Sequence, residues 1–256
     1  MKILCWNVNS LKVRLDQVVE IITKFSPDII SLQETKSQDE NFPEIIFKDL
    51  GYESVFIGQK TFNGVAIVTK LPFKNLIFNI PNLIDDQKRF ICLDVAFEDK
   101  NFTIMNGYFP NGQALDSDKF QYKSRWIEAL KVFLQKNNTD SFLMGDFNIA
   151  PKDIDCHDPQ KWTDTVLTSD IERSHFEDII NSGFIDSYRY LYPDDPGFTW
   201  WDYRMAAFRR NLGLRIDHIL CSKNLISSIK DFEVLKDFRK LERPSDHAPI
   251  LLTMKF

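Results

Sequence analysis

The chain has 256 residues, enough for one large α/β domain, and a formal charge of −5, which speaks against a protein that coats nucleic acid by bulk positive charge. Four scattered cysteines (Cys5, Cys92, Cys156, Cys221) form no CxxC pair, so neither a disulfide framework nor a zinc site is expected. Met1-Lys2 runs into a strand-like segment with no signal-peptide pattern, and no apolar run approaches membrane-spanning length. A soluble cytoplasmic protein with reduced thiols is the expectation.

In chain order, strand-like apolar runs occupy Ile3 to Val8, Asp28 to Leu32, Val65 to Thr69, Phe90 to Ala96, Phe102 to Asn106, Phe142 to Gly145, Ile216 to Cys221 and Ile250 to Met254. Helical stripes separate them. Leu11, Leu15, Val18, Ile22 and Phe25 form one, and Trp126, Ile127, Leu130, Phe133 and Leu134 another. Pro27 and Gly183 punctuate helix ends, and Leu191 to Phe198 reads as a loop. Strands and helices mix along the whole length with no linker, so a single domain over residues 1–256 is expected.

Acidic and amide residues fall where these runs stop. Asn7 closes the first strand, Glu34 follows the second, Asp146 and Asn148 follow Phe142-Leu143-Met144-Gly145, Asp217 interrupts an apolar run, and Asp246-His247 precede the last strand. Any one of them is ordinarily a cap or turn former. Together they match a crevice beyond strand ends in an α/β sheet.

The residue types suit metal-assisted phosphoester hydrolysis. Mg²⁺ takes oxygen ligands from one or two carboxylates, with waters and substrate phosphates completing the octahedron. Glu34 is the first ligand candidate, with Asn7 and Asp246 nearby. Asp146 could accept the proton of an attacking water, and Asn148 could hold that water or the phosphate. His247 and Tyr108 are donors for developing negative charge. A carboxylate behind an imidazole fixes its tautomer, a role open to Asp217.

Seven segments in order resemble the exonuclease III type of apurinic/apyrimidinic endonuclease. They are Trp6-Asn7-Val8-Asn9-Ser10-Leu11, Leu32-Gln33-Glu34-Thr35-Lys36, Asn106-Gly107-Tyr108-Phe109-Pro110-Asn111-Gly112, Gly145-Asp146-Phe147-Asn148-Ile149-Ala150-Pro151, Phe198-Thr199-Trp200-Trp201-Asp202-Tyr203-Arg204, Gly213-Leu214-Arg215-Ile216-Asp217 and Ser245-Asp246-His247-Ala248-Pro249. The resemblance implies a four-layer α/β sandwich, two packed mixed β-sheets flanked by helices. It implies Mg²⁺, or Mn²⁺, at Asn7, Glu34 and Asp246, with Asp146, Asn148 and His247 in or beside that shell. It further implies Asp146 activating water, Tyr108, Asn148 and His247 around the phosphate, and Asp217 orienting His247. The implied reaction is cleavage 5′ to abasic sites in double-stranded DNA, with 3′-exonuclease or 3′-phosphatase activity beside it, by a monomer. Where this chain has Asn9, some members have Asp, so a metal role there would fall to a neutral amide.

DNA requires local cations. Arg204, Arg209, Arg210 and Arg215 form one cluster, Lys119, Lys123 and Arg125 a second, and Lys60 and Arg89 stand alone. The same resemblance implies that Trp200, Trp201 and Leu214 line a pocket for a bare deoxyribose, although two adjacent tryptophans taken alone are more often core. Two other readings compete: a phosphoesterase of the same fold acting on inositol phosphates or sphingomyelin, and a non-catalytic interaction module.

Overall fold

The computed structural model describes residues 1–137 and 139–256. Among the described residues, twelve strands build two six-stranded sheets. The first has the order β11 (Ile229–Val234), β12 (Ile250–Met254), β1 (Lys2–Asn7), β2 (Ile29–Gln33), β4 (Val65–Thr69), β3 (Glu53–Ile57). The second runs β5 (Phe73–Phe78), β6 (Phe90–Phe97), β7 (Lys100–Tyr108), β8 (Ser141–Asp146), β10 (Asp217–Ser222), β9 (Phe184–Asp186). Each sheet has a parallel pair at its centre, β1 with β2 and β7 with β8, and the other pairings are antiparallel.

A parallel pair needs a crossover, usually helical. Helix α1 (Leu11–Phe25) connects β1 to β2, and α3 (Asp118–Leu134) connects β7 to β8. The periodicity of each sequence explains its place. In β1, Ile3 and Cys5 face the opposite sheet, whereas Leu4 and Trp6 pack outward with Leu11, Val18 and Ile21 of α1. In the second sheet, Ile104 and Phe142 face inward, while Met105 and Leu143 pack against Trp126, Ile127 and Leu130 of α3 and Phe176 and Ile179 of α5 (Asp170–Asn181). The result is helix, sheet, sheet, helix: the four-layer arrangement. Short helices α2 (Glu44–Asp49), α4 (Pro159–Trp162) and α6 (Ser187–Leu191) complete the connections.

A polar bridge made by Asn106 crosses the middle of the seam. Asn106 on β7 donates to the backbone carbonyls of Leu32 (3.0 Å) and Ala66 (2.9 Å) in the other sheet, and accepts from Gln33 Nε2 at 2.9 Å. Among the described residues, no helix is long and apolar enough to cross a membrane. All four cysteines are free and buried.

Candidate active site

The two central parallel pairs end at one place. Asn7 pairs in register with Gln33, the residue before Glu34, and Tyr108 pairs with Asp146. Asp217 opens β10 opposite Asp146. Since β1 packs against β8 and β10 across the seam, the carboxyl ends of both pairs converge there. Gly145 permits the close approach of β7 and β8 at this end: its φ is +150°, and a Cβ there would strike the carbonyl of Gly107 on β7.

The side chains form one connected network. Asn7, fully buried, donates its amide to Glu34 Oε1 (3.0 Å) from the first sheet and to Asp146 Oδ2 (2.9 Å) from the second. Tyr108 donates its hydroxyl to Glu34 Oε1 at 2.8 Å. Asn148 donates its backbone N–H to Asp146 Oδ1 (2.9 Å) and its side-chain amide to Asp146 Oδ2 (3.2 Å). His247 Nδ1 lies 2.8 Å from Asp217 Oδ2, and its Nε2 lies 3.8 Å from Asp146 Oδ2. Asn9, Ser10, Glu34, Lys36 and Asn148 all have positive φ, in the left-handed region that costs a non-glycine residue about 1–3 kcal/mol.

Charge follows the geometry. Burial works against a charged His247, but the carboxylates of Asp217 and Asp146 outweigh it and push the imidazole up to about 10. Burial likewise lifts Asp146 to about 7; the His247 cation offsets only part of this, and the negative charge of Asp217 adds to it. Glu34 is lowered despite its burial, because the Lys36 ammonium sits 2.8 Å from Oε2 and Asn7 donates to Oε1. Asp246 is also lowered against its burial, by the His247 cation and by donors from Asn9 (2.9 Å) and Trp200 Nε1 (3.0 Å).

A hard divalent cation fits this chemistry. Glu34, Asp246, Asn7 and Asn9 offer oxygen donors, and the Lys36 ammonium already bridges Glu34 Oε2 and Asn9 Oδ1, the latter at 2.6 Å. That corner of the site holds positive charge. A second group able to hold a metal, Asp146, Asp217 and His247, lies beside it. There the tight Asp217–His247 contact makes a proton-bearing pair the better description, because an imidazolium cannot ligate.

Several expected DNA contacts are placed differently. Arg215 is enclosed, its Nε 2.6 Å from Asp155 Oδ1 and its NH2 2.7 Å from Asp186 Oδ2, so it braces the interior and does not reach DNA. Trp201 is fully buried against Phe208, and Leu214 is fully buried with Cys156, Ile216 and Trp200. Neither reaches solvent, because each fills core volume. Of that trio only Trp200 remains partly exposed. Lys123 is also buried, against Glu172. Arg204, Arg209, Arg210, Lys119 and Arg125 are exposed. Lys119 and Arg89 line a cleft of about 590 Å³ that reaches Tyr108, and Lys60 lines another of about 480 Å³ with Lys12 and Lys36.

Four partners carried no assigned role in the sequence. Thr199 donates its hydroxyl to Asp217 Oδ2 at 2.6 Å, Ser245 ties its own to the carbonyl of Asn7 at 2.7 Å, Lys36 bridges Glu34 and Asn9, and Asn111 donates to Asn148 Oδ1 at 3.1 Å. All four lie in the motif segments, which was the available signal.

The chain is 39% identical to an exodeoxyribonuclease III of Haemophilus influenzae over the full length of both proteins. Its fold superposes with a TM-score of 0.97, at 43% identity and full coverage of both chains, on a 3′ phosphatase from Neisseria solved with a product DNA hairpin. An AP endonuclease from Archaeoglobus fulgidus gives a TM-score of 0.95 at 35% identity, again with full coverage of both. The family model described as endonuclease/exonuclease/phosphatase matches residues 4–247, from the first strand to the site histidine. With fold, convergent carboxylates and sequence all agreeing, the chain belongs to the endonuclease/exonuclease/phosphatase family.

Proposed function

We propose that the chain is a Mg²⁺-dependent nuclease that hydrolyses the DNA backbone 5′ to abasic sites, with 3′-exonuclease or 3′-phosphatase activity at strand ends. The observation that carries this reading is the Asn7 amide joining Glu34 to Asp146 beside the Asp217–His247 pair. Relatives named exodeoxyribonuclease III and DNA-(apurinic or apyrimidinic site) endonuclease support it.

In this reading Asp146 takes the proton of the attacking water. His247, held as a cation by Asp217, directs its Nε2 hydrogen at the charge developing on the phosphoryl oxygens. Tyr108 and Asn148 orient the phosphate. Glu34, Asp246 and Asn7 hold the metal, and Mn²⁺ suits the same oxygen donors. When bound, the ion polarises the phosphoryl group and offsets its negative charge. Lys119, Arg204, Arg209 and Arg210, with Lys60 and Arg89, supply the rim for a duplex, and Trp200 faces the extruded sugar. A monomer, organised as one domain and working in the cytoplasm, is part of the same proposal; the free thiols support that compartment.

The test is a duplex carrying one tetrahydrofuran abasic analogue, incubated with Mg²⁺ or EDTA. A single nick that requires the metal is expected. Hydrolysis of inositol phosphates without nicking would transfer the site to another substrate class. Replacing Glu34 with Ala is expected to raise the Mg²⁺ needed for half-maximal rate by about 10–100-fold; an unchanged titration refutes its ligand role.

The pH profile follows from the two charges. Asp146 must be ionised to accept a proton, so kcat/KM falls as pH drops through about 7. His247 must stay cationic, so the rate falls again as pH rises through about 10. A profile flat between pH 6 and pH 8 would remove Asp146 from the role of base.

A further inference from the structure

Lys123 lies on α3 between Lys119 and Arg125, which are exposed, yet its own side chain is 1% exposed. Its ammonium has three acceptors for its three hydrogens: Glu172, the backbone carbonyl of Asn148 at 2.7 Å and that of Asn111 at 3.3 Å. The direction of the group is therefore fixed. Glu172 is equally committed. It accepts from the N–H of Leu167 at 3.0 Å, and from the N–H (3.1 Å) and hydroxyl (2.6 Å) of Ser169, closing the capping box of α5. The pair thus fastens the start of one outer helix to the loop that leaves β8.

What the ammonium holds is the backbone of the site. Asn148 has φ +51°, in the left-handed region. Its side-chain amide donates to the carbonyl of Phe109 (3.0 Å) and to Asp146 Oδ2 (3.2 Å), while Asn111 donates to its Oδ1 at 3.1 Å. Lys123 therefore grips the main chain of two asparagines whose side chains touch each other beside Asp146. Stability alone does not call for charges here, since a buried ion pair is often matched or exceeded by apolar residues of similar volume. A fixed, fully satisfied donor is what an apolar pair cannot supply.

We propose that Lys123, neutralised by Glu172, is a positioning residue that fixes Asn111 and Asn148 at the scissile phosphate through their backbone carbonyls. The proposal rests on the reading of Asn148 as a residue that orients the phosphate. Lys123 itself touches no substrate. Its influence passes through Asn148.

The experiment uses the full chain and the tetrahydrofuran duplex with Mg²⁺. The double variant K123M/E172M removes both buried charges together, so that neither is stranded. With rates normalised to active enzyme by titration against an uncleavable duplex, kcat is expected to fall by roughly 10²-fold, with KM within about twofold of the parent. Asn148→Ala is then introduced into the parent and into the double variant. If Lys123 acts through Asn148, the second loss largely overlaps the first, and the combined variant is little slower than N148A alone. Additive losses, or a folded double variant with unchanged kcat, overturn the proposal. An active N148A parent overturns it as well, together with the reading of Asn148 on which it stands; loss in N148A with additive behaviour sinks the positioning role alone. Should the Met pair fold poorly, K123Q/E172Q keeps hydrogen bonding between the two helices and completes the same cycle, judged by the same criterion.

Discussion

Replacing Asp146 with Asn is expected to slow nicking of an abasic duplex by about 10³-fold or more, while the affinity for uncleaved duplex stays close to that of the parent. General-base catalysis contributes about 10²–10⁴ in rate, and Asn is nearly isosteric but cannot accept the proton. The substitution preserves the shape of the network: Asn7 and the N–H of Asn148 both donate to the side chain at this position, at 2.9 Å each, and an amide oxygen still accepts one of them. It also removes a negative charge that pulls His247 upward, so the imidazole should become easier to deprotonate. Single-turnover kinetics against equilibrium binding separate the two effects. A D146N enzyme within tenfold of the parent rate would move the base elsewhere, with His247 the first alternative.

The second large effect concerns stability. Arg215→Met is expected to destabilise the fold by about 3–5 kcal/mol, because it strands buried carboxylates that lose their partner. Asp155 Oδ1 and Asp186 Oδ2 each lie within 2.7 Å of the guanidinium, and Asp155 is fully buried. Arg189 also reaches Asp155 at 2.6 Å, which keeps the cost toward the lower end. For a chain of this size that corresponds to a Tm lower by roughly 10 °C, measured by circular dichroism. The sign with pH is defined. Burial would raise Asp186, but Arg215 outweighs it and holds the carboxyl down at about 2, below its ordinary value. Its contribution is therefore present above the ordinary carboxylate range and lost as pH falls through about 2. Folded R215M should bind duplex DNA with an unchanged salt dependence. If Tm is unaffected and the salt slope falls by about one charge, Arg215 contacts phosphate after all.

Arg215 shows where a linear sequence stops informing. A run of arginines beside tryptophans reads as a cationic surface, yet Arg209 and Arg210 face solvent while Arg215 is drawn inside. The deciding partners, Asp155 and Asp186, are 60 and 29 residues away. Lys123 follows the same rule through Glu172, and Leu214 is enclosed partly by Ala150, Cys156 and Leu167, all far before it in the chain. The carboxylates of the site were legible for the opposite reason. Each terminates or adjoins a strand whose own residues announce it, so their convergence follows once the strands are known.

The strands divide in the same way. The eight expected from apolar runs are all present, with ends displaced by at most a few residues. The four that were not expected, β3, β5, β9 and β11, are the outer strands of the two sheets. An outer strand covers less core and carries more solvent-facing side chains. Lys74, Asn75 and Leu76 in β5 are exposed, β11 alternates Lys230 and Glu233 with buried Ile229 and Phe232, and β9 has three residues. None offers the continuous apolar signal of a central strand.

The bridge made by Asn106 has a consequence for catalysis at a distance. Glu34 belongs to one slab of the molecule and Asp146 to the other, and greasy surfaces alone would let the slabs slip by a fraction of a side chain. The amide of Asn106, seated on two carbonyls of the opposite slab, works as a dowel. It keeps the metal-holding half and the water-activating half of the machinery in alignment.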